Sequence, residues 1–397
     1  MRLDDLRAGE VDWPSLEMAR GPREEMPALL RQLCSDDWDE HWAAYEELSF
    51  RLLAEGTVYE AAAHVAPFLL EIAAGGGRHG PTGAFSILSD LVCGDEERWF
   101  ARPPDIAAMR AFLARLERMS PDDYRDHLLS KAAEARDDSE RRALEFRVRL
   151  AGLDRHRASL RWWIDAIDAV SVGIPFYVAT LGHDSFAMRI WAVKLLSWFG
   201  DEEPGHTIAV RAIADVLDHE TDERVLMNAV MAAGVAGRAQ DHDLIDRVWV
   251  FLDHPEPPVR SAAALSYAAL VPRPGRRVIE QIYDCLFAGP EDLDWFVFAY
   301  RDMSAMAAYT VGRLDPENAD DRVAALVVRW TAAGPDDDER FVRAILTAAF
   351  PGGPIAEGVT LADLDPAGRA AVEAILSSGR AGSMPVRMLL RDYNVIG

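Results

Sequence analysis

Histidine and cysteine are the residue types best suited to metal binding or acid–base catalysis, and three of the ten histidines recur at regular intervals. His183, His219 and His254 each close a Leu-x-His tripeptide, 36 and 35 residues apart, and Arg189, Arg224 and Arg260 follow them across a polar turn. Zinc needs ligand bonds near ~2 Å, whereas residues one helix-pair repeat apart lie roughly 10 Å apart. The three histidines therefore cannot share a metal. They are expected to cap helix ends, and the arginines to bond turn carboxylates or carbonyls along the stack. The sequence contains no His-Glu-x-x-His, no Gly-x-Ser-x-Gly, no Walker loop and no dinucleotide fingerprint. No catalytic residue, metal or cofactor is assigned from it.

Carboxylates form the second recurring group: Asp36-Asp37 with Asp39-Glu40, Asp201-Glu202-Glu203, Asp241 with Asp243, Glu291-Asp292 with Asp294, and Asp336 through Glu339. Most fall at predicted turns, where acids complement helix N-termini. Repeated at one point of successive units, they would line one edge of an array and attract a basic protein. The candidate contact residues are Glu202, Glu203, Asp241, Asp243, Asp292 and Asp294, with Trp295 from the most aromatic window, Leu293 to Tyr300. A helical register through Leu293, Val297, Tyr300, Ser304, Ala307, Val311 and Leu314 predicts one buried face there and puts Trp295 and Phe298 on other faces.

Charge narrows the partners. Forty-two basic residues against 66 acidic leave a net charge of −24, which disfavours nucleic acid, because its binding depends on Lys and Arg neutralising phosphates. Residues 98–161 differ: fifteen Lys and Arg face eleven Asp and Glu, so this stretch is +4 and the rest is −28. Trp162-Trp163 follows it, and arginines beside aromatics are a pattern that holds phosphate and stacks bases.

These side chains need elements to hold them, and the sequence repeats at a helix-pair period. Val259, Ala262, Ala263, Ser266, Tyr267 and Leu270 mark one helical face, and Met188, Trp191, Ala192, Leu195, Leu196 and Phe199 repeat it. Ser185, Thr221 and Glu256 occupy the predicted N-cap positions. The partner helix opens with an apolar residue and a proline, at Met26-Pro27, Ala66-Pro67 and Ile174-Pro175. Weaker copies lie at 35–53, 293–314 and 336–350, which brings the expected number to eight to ten pairs. Gly75 to Pro81 and Pro351 to Pro354 read as long inter-helix loops.

The turn His254-Pro255-Glu256-Pro257-Pro258-Val259-Arg260, followed by Ser-Ala-Ala-Ala-Leu, resembles the short bacterial type of HEAT repeat. Gly56-Thr57-Val58-Tyr59-Glu60-Ala61 with Ala66-Pro67-Phe68-Leu69 is similar to a group of uncharacterised bacterial HEAT proteins. The resemblance implies an all-α fold, a right-handed α-solenoid of stacked antiparallel helix pairs whose second helices line a concave surface. The expected organisation is a single solenoid over 1–397: N-terminal repeats 1–97, an irregular basic segment 98–161, central repeats 162–350 and a C-terminal cap 351–397. Such proteins include neutralisers of toxins, so the resemblance implies a non-enzymatic scaffold that binds a basic protein through an acidic concave face, in one version an immunity-type inhibitor. The alternative is an alkyl-base DNA glycosylase of the HEAT-like kind using segment 98–161. A third class, similar to bilin lyases, would need a small-molecule pocket.

Cys34, Cys93 and Cys285 are too few and too dispersed for a disulfide framework. The acidic start and the lack of a long apolar run predict a soluble, cytoplasmic protein with no membrane segment.

Overall fold

Proline opens helices where its missing amide costs nothing, and apolar residues three and four apart then fix the buried face. The computed structural model follows this rule repeatedly. It describes residues 11–54, 56–94, 104–134, 152–288, 293, 295–298, 302–314, 319–332, 338–351, 353–356 and 359–395. Among them are nineteen α-helices and one two-stranded hairpin. The fold is an all-α array of stacked helix pairs. The hairpin pairs β1 (Leu53–Ala54) with β2 (Thr57–Val58); the Gly56-Thr57-Val58 stretch thus forms a corner, with Gly56 at φ 70°.

The chain divides into two compact units. The first comprises Met1–Arg118, Leu153–Val248 and Trp295–Val297. Its helices run α1 (Met26–Gln32), α2 (Trp38–Leu52), α3 (Ala61–Gly75), α4 (Gly80–Cys93) and α5 (Ile106–Arg118). After α6 (Pro121–Glu134), which groups with the second unit, come α7 (Leu153–Ser171), α8 (Ile174–Thr180), α9 (Phe186–Ser197), α10 (Gly205–His219), α11 (Glu223–Ala236) and α12 (His242–Val250). Within this unit α2, α4, α9 and α11 pack side by side as an inner row. Helices α3 and α7 pack against each other, α3 also covers α4, and α10 covers α11. Every residue from Val225 to Ala236 of α11 is buried, as befits a helix apolar all round. Trp198 anchors α9 to α4, its indole N–H donating to Ser89 Oγ at 3.0 Å.

The second unit contains Met119–Gly152, Trp249–Asp294 and Phe298–Gly397. Its helices beyond α6 are α13 (Pro257–Leu270), α14 (Arg276–Ala288), α15 (Met303–Arg313), α16 (Ala319–Ala332), α17 (Asp338–Ala349), α18 (Pro366–Ser377) and α19 (Met384–Asp392). Two rows result: α13, α15, α17 and α19 in one, α14, α16 and α18 in the other.

Several sequence expectations change. Pro67 lies inside α3, which starts at Ala61. Gly75 to Pro81 is a four-residue turn between α3 and α4, because Gly77 (φ 77°) lets the chain fold tightly against Cys34. The helix expected from Leu293 begins only at Met303, and Trp295 to Phe298 are non-helical. Part of the basic segment is regular, as α5 and α6; residues 98–103 and 135–151 lie outside the described residues. No single described helix is long and apolar enough to cross a membrane.

Candidate functional site

The periodic histidines and arginines build one turn device twice. His183 Nδ1 accepts the amide of Ser185 at 2.9 Å, and His254 Nδ1 accepts that of Glu256 at 3.2 Å. Arg189 donates back to the carbonyls of His183 and Asp184, and Arg260 to those of His254 and Pro255. Each ring accepts the amide of the N-cap residue itself, Ser185 or Glu256, whose own side chains accept no cap bond.

The middle copy is one residue shorter before its arginine, and its chemistry differs. His219 Nδ1 donates to the carbonyl of Asp215 within its own helix, at 2.9 Å. Glu220 takes over the turn, its Oε1 accepting the amides of Thr221 and Asp222. Asp222, not Thr221, caps α11 by accepting from Arg224 N. Arg189 reaches this turn from α9 and pairs with Glu220 at 2.8 Å.

Four predicted acids gather at one edge of the first unit, each with its own role. Glu202 pairs with Arg110 of α5 at 3.3 Å. Glu203, one residue before the N-cap position of α10, accepts from the Thr207 amide at 3.3 Å and its hydroxyl at 2.8 Å. Asp241 accepts from Arg238 N at 2.7 Å and lies 3.3 Å from buried His206. The Arg238 guanidinium returns to the Asp201 carbonyl, which ties the two acidic turns together. Asp243 and Glu203 are both exposed, Asp243 in the first turn of α12. Asp292 and Asp294 lie outside the described residues.

Trp295 is 39% exposed and sits edge-on to Phe186, ring centroids 4.5 Å apart. Arg224 stacks on Phe186 at 3.5 Å. The main chain beside Trp295 is gripped by the inner row. Asn228 of α11, fully buried, donates from Nδ2 to the Trp295 carbonyl (2.8 Å) and accepts from Val297 N at Oδ1 (3.1 Å). Lys194 of α9, 4% exposed, donates to the Val297 carbonyl at 2.6 Å. Sequence reading missed both; the signal was a polar residue inside each otherwise apolar helix run.

At the other end of the row α2 exposes Trp38 (54%) and Trp42 (44%), stacked at 5.7 Å, with Tyr45 next along the helix. Asp37, Asp39, Glu40 and Glu46 neighbour them in sequence, all exposed. Tyr45 bonds Ser86 of α4 at 3.0 Å; burial and the Asp90 charge raise its hydroxyl pKa, while Lys194 works the other way. The acids of α2 stood out in the sequence, but their tryptophans did not, because indole is as common in cores as on binding surfaces.

Three arginines of the basic segment that lie among the described residues are bonded within the chain. Arg110 pairs with Asp168, Arg161 with Glu117, and Arg157 with Asp154 and the Leu116 carbonyl. Trp163 donates to the Val92 carbonyl at 3.2 Å, and Trp162 stacks on Tyr59. In the second unit one cleft of about 150 Å³ is lined by Arg260, Gln281, Asp284, Cys285 and Met303, below the usual few hundred Å³ of a small-molecule site. Among the described residues no cluster of His, Cys, Asp and Glu is arranged to hold a metal.

No protein family and no curated protein matches the sequence. Among solved structures, the chain is similar to an engineered protein at 13% identity and TM-score 0.32, covering 93% of this chain and 97% of that one. It is also similar to a mutant of Kap121p at 13% identity and TM-score 0.33, over 93% of this chain but only 37% of Kap121p.

Proposed function

We propose that this protein is a non-enzymatic, cytoplasmic scaffold of the bacterial HEAT-repeat kind that binds a basic protein on the inner row of its first unit. The observation that carries this reading is the exposed Trp38–Trp42 pair amid the carboxylates of α2. Two stacked indoles in water are costly for a monomer, and their faces attract guanidinium groups, more so beside acids. The −24 net charge would steer a basic partner towards the protein and disfavour nucleic acid. An immunity-type inhibitor of a basic effector is the concrete version we favour, with Glu202, Glu203, Asp241, Asp243 and Trp295 as further contributors. The glycosylase alternative draws no support from Arg110, Arg157 and Arg161, which are bonded within the chain.

The test is binding of a fluorescent nona-arginine peptide to the full chain and to a Trp38→Ala/Trp42→Ala variant, at low and high salt. Binding that falls about tenfold in the variant, the loss of roughly 1.4 kcal/mol that stacked cations supply, supports the reading. Equal binding by both proteins sinks it.

A further inference from the structure

A stack of helix pairs stays soluble when its terminal helices turn a polar face outwards. The row of the first unit that ends in α2, and the row of the second unit that ends in α19, do otherwise. Helix α2 packs on α1 and, within its row, on α4, while α19 packs chiefly on α17. In α19 Val386, Leu389 and Leu390 are buried. Its other side carries Met384 (73% exposed), Arg387, Met388 (55% exposed) and Arg391, all exposed at i, i+3, i+4 and i+7. Among the described residues neither Arg387 nor Arg391 has an ion pair or a side-chain hydrogen bond. This face is apolar and basic at once. In α2 Trp38, Trp42 and Glu46 follow one another at i, i+4 and i+8, on the side turned from buried Ala44 and Leu48, and Asp39 flanks them. That face is apolar and acidic.

We infer that this protein associates with itself, the Met384–Arg391 face of one copy seating on the Trp38–Trp42 face of a second. Complementarity singles out this occupant. Met384 and Met388 lie about 6 Å apart along the axis of α19, and the two indoles are 5.7 Å apart, so each thioether can meet one ring, a contact that sulfur makes favourably. Arg387 and Arg391 then fall among Trp38, Trp42, Asp39 and Glu46, where guanidinium groups stack on indole and pair with carboxylates. Copies that each carry −24 repel at a distance. At about 0.15 M salt that repulsion is screened beyond roughly 8 Å, and the contact itself joins opposite charges. The inference rests on the reading that the tryptophan patch takes cationic groups, and it adds a regulation of that patch: a basic partner and a second copy compete for the same two rings, so partner binding takes the assembly apart. Because the two faces differ, the contact is heterologous, and a pair joined by one such contact keeps one face of each kind open to further copies.

The experiment is sedimentation equilibrium of the full chain at about 0.15 M salt. The natural chain should associate as its concentration rises through the micromolar range. Trp38→Ala/Trp42→Ala and Arg387→Glu/Arg391→Glu should each weaken self-association at least about tenfold. Mixed in equal amounts, the two variants supply the faces that each other lacks and should form a one-to-one complex with the affinity of the natural contact. A natural chain that stays monomeric, a variant that associates undiminished, or a mixture that stays monomeric overturns the inference. Should loss of the tryptophans lower the helicity, Asp39→Arg/Glu46→Arg takes the place of that variant. Alone it should abolish association, and mixed with Arg387→Glu/Arg391→Glu it should restore it; failure of either step overturns the contact. Nona-arginine binding that needs Trp38 and Trp42 in a chain that never associates overturns the self-contact alone and leaves the protein-binding reading standing.

Discussion

Arg189 of α9 and Glu220, just past the end of α10, join two successive repeats through a largely buried ion pair, Nε to Oε2 at 2.8 Å. The same guanidinium bonds the carbonyls of His183 and Asp184, so one side chain closes its own turn and reaches the next.

Arg189→Ala should therefore destabilise the first unit by about 2 kcal/mol, because it strands a largely buried carboxylate and two turn carbonyls. A shift of the urea midpoint checks this. Arg260→Ala, which among the described residues bonds only its own turn carbonyls, should cost less.

The pair also sets a pH dependence. Burial pushes the Glu220 carboxyl up, but hydrogen bonds from Arg189 and from the amides of Asp222 and Thr221 more than offset this, and its pKa falls below the ordinary 4.5. A lowered folded value means the stabilisation is fully present above about pH 4.5 and is lost as pH falls through the folded value. Urea melts of natural protein and Glu220→Gln should differ at pH 7 and converge in the acid range.

Gly77→Ala should lower stability by about 2 kcal/mol or more. The residue sits at φ 77°, and a Cβ would fall 2.3 Å from the Cys34 carbonyl oxygen. Thermal denaturation of the variant measures the loss; an unchanged midpoint would contradict the turn geometry.

In the second unit Asp338 is buried and shared by the Trp330 indole (2.8 Å) and Arg380 (3.0 Å). Arg380→Ala leaves that carboxylate without its cation and should cost about 3 kcal/mol. Tryptophan fluorescence during unfolding reports it through Trp330.

All three thiols are buried, and burial pushes Cys34 up to about 11. With almost no Cys34 thiolate at pH 8 and the other two thiols shielded by burial, Ellman's reagent should label none of them in the native protein and all three after denaturation. Rapid native labelling of Cys34 would contradict its packing.

Composition and periodicity were enough to establish the class of architecture. Apolar residues at helical spacing must find a neighbour to cover them, so the faces through Val259 and Leu270, or Ala192 and Leu196, predict stacked helices without knowledge of the whole. The one-residue deficit before Arg224 likewise foreshadowed the changed turn at Glu220, since a turn's bonds depend on local spacing. Tertiary structure alone decided that Trp295–Val297 leaves the helical register and lies against Asn228 and Lys194, 67 and 103 residues away. A periodic pattern records which side chains avoid water, but a backbone held by buried polar groups from elsewhere leaves no period of its own. The tryptophans of α2 are silent for a related reason: the same residue serves a core or a surface, and only folding decides that Trp38 and Trp42 stay about half exposed, with the rings of His41, His79 and Tyr45 beside them.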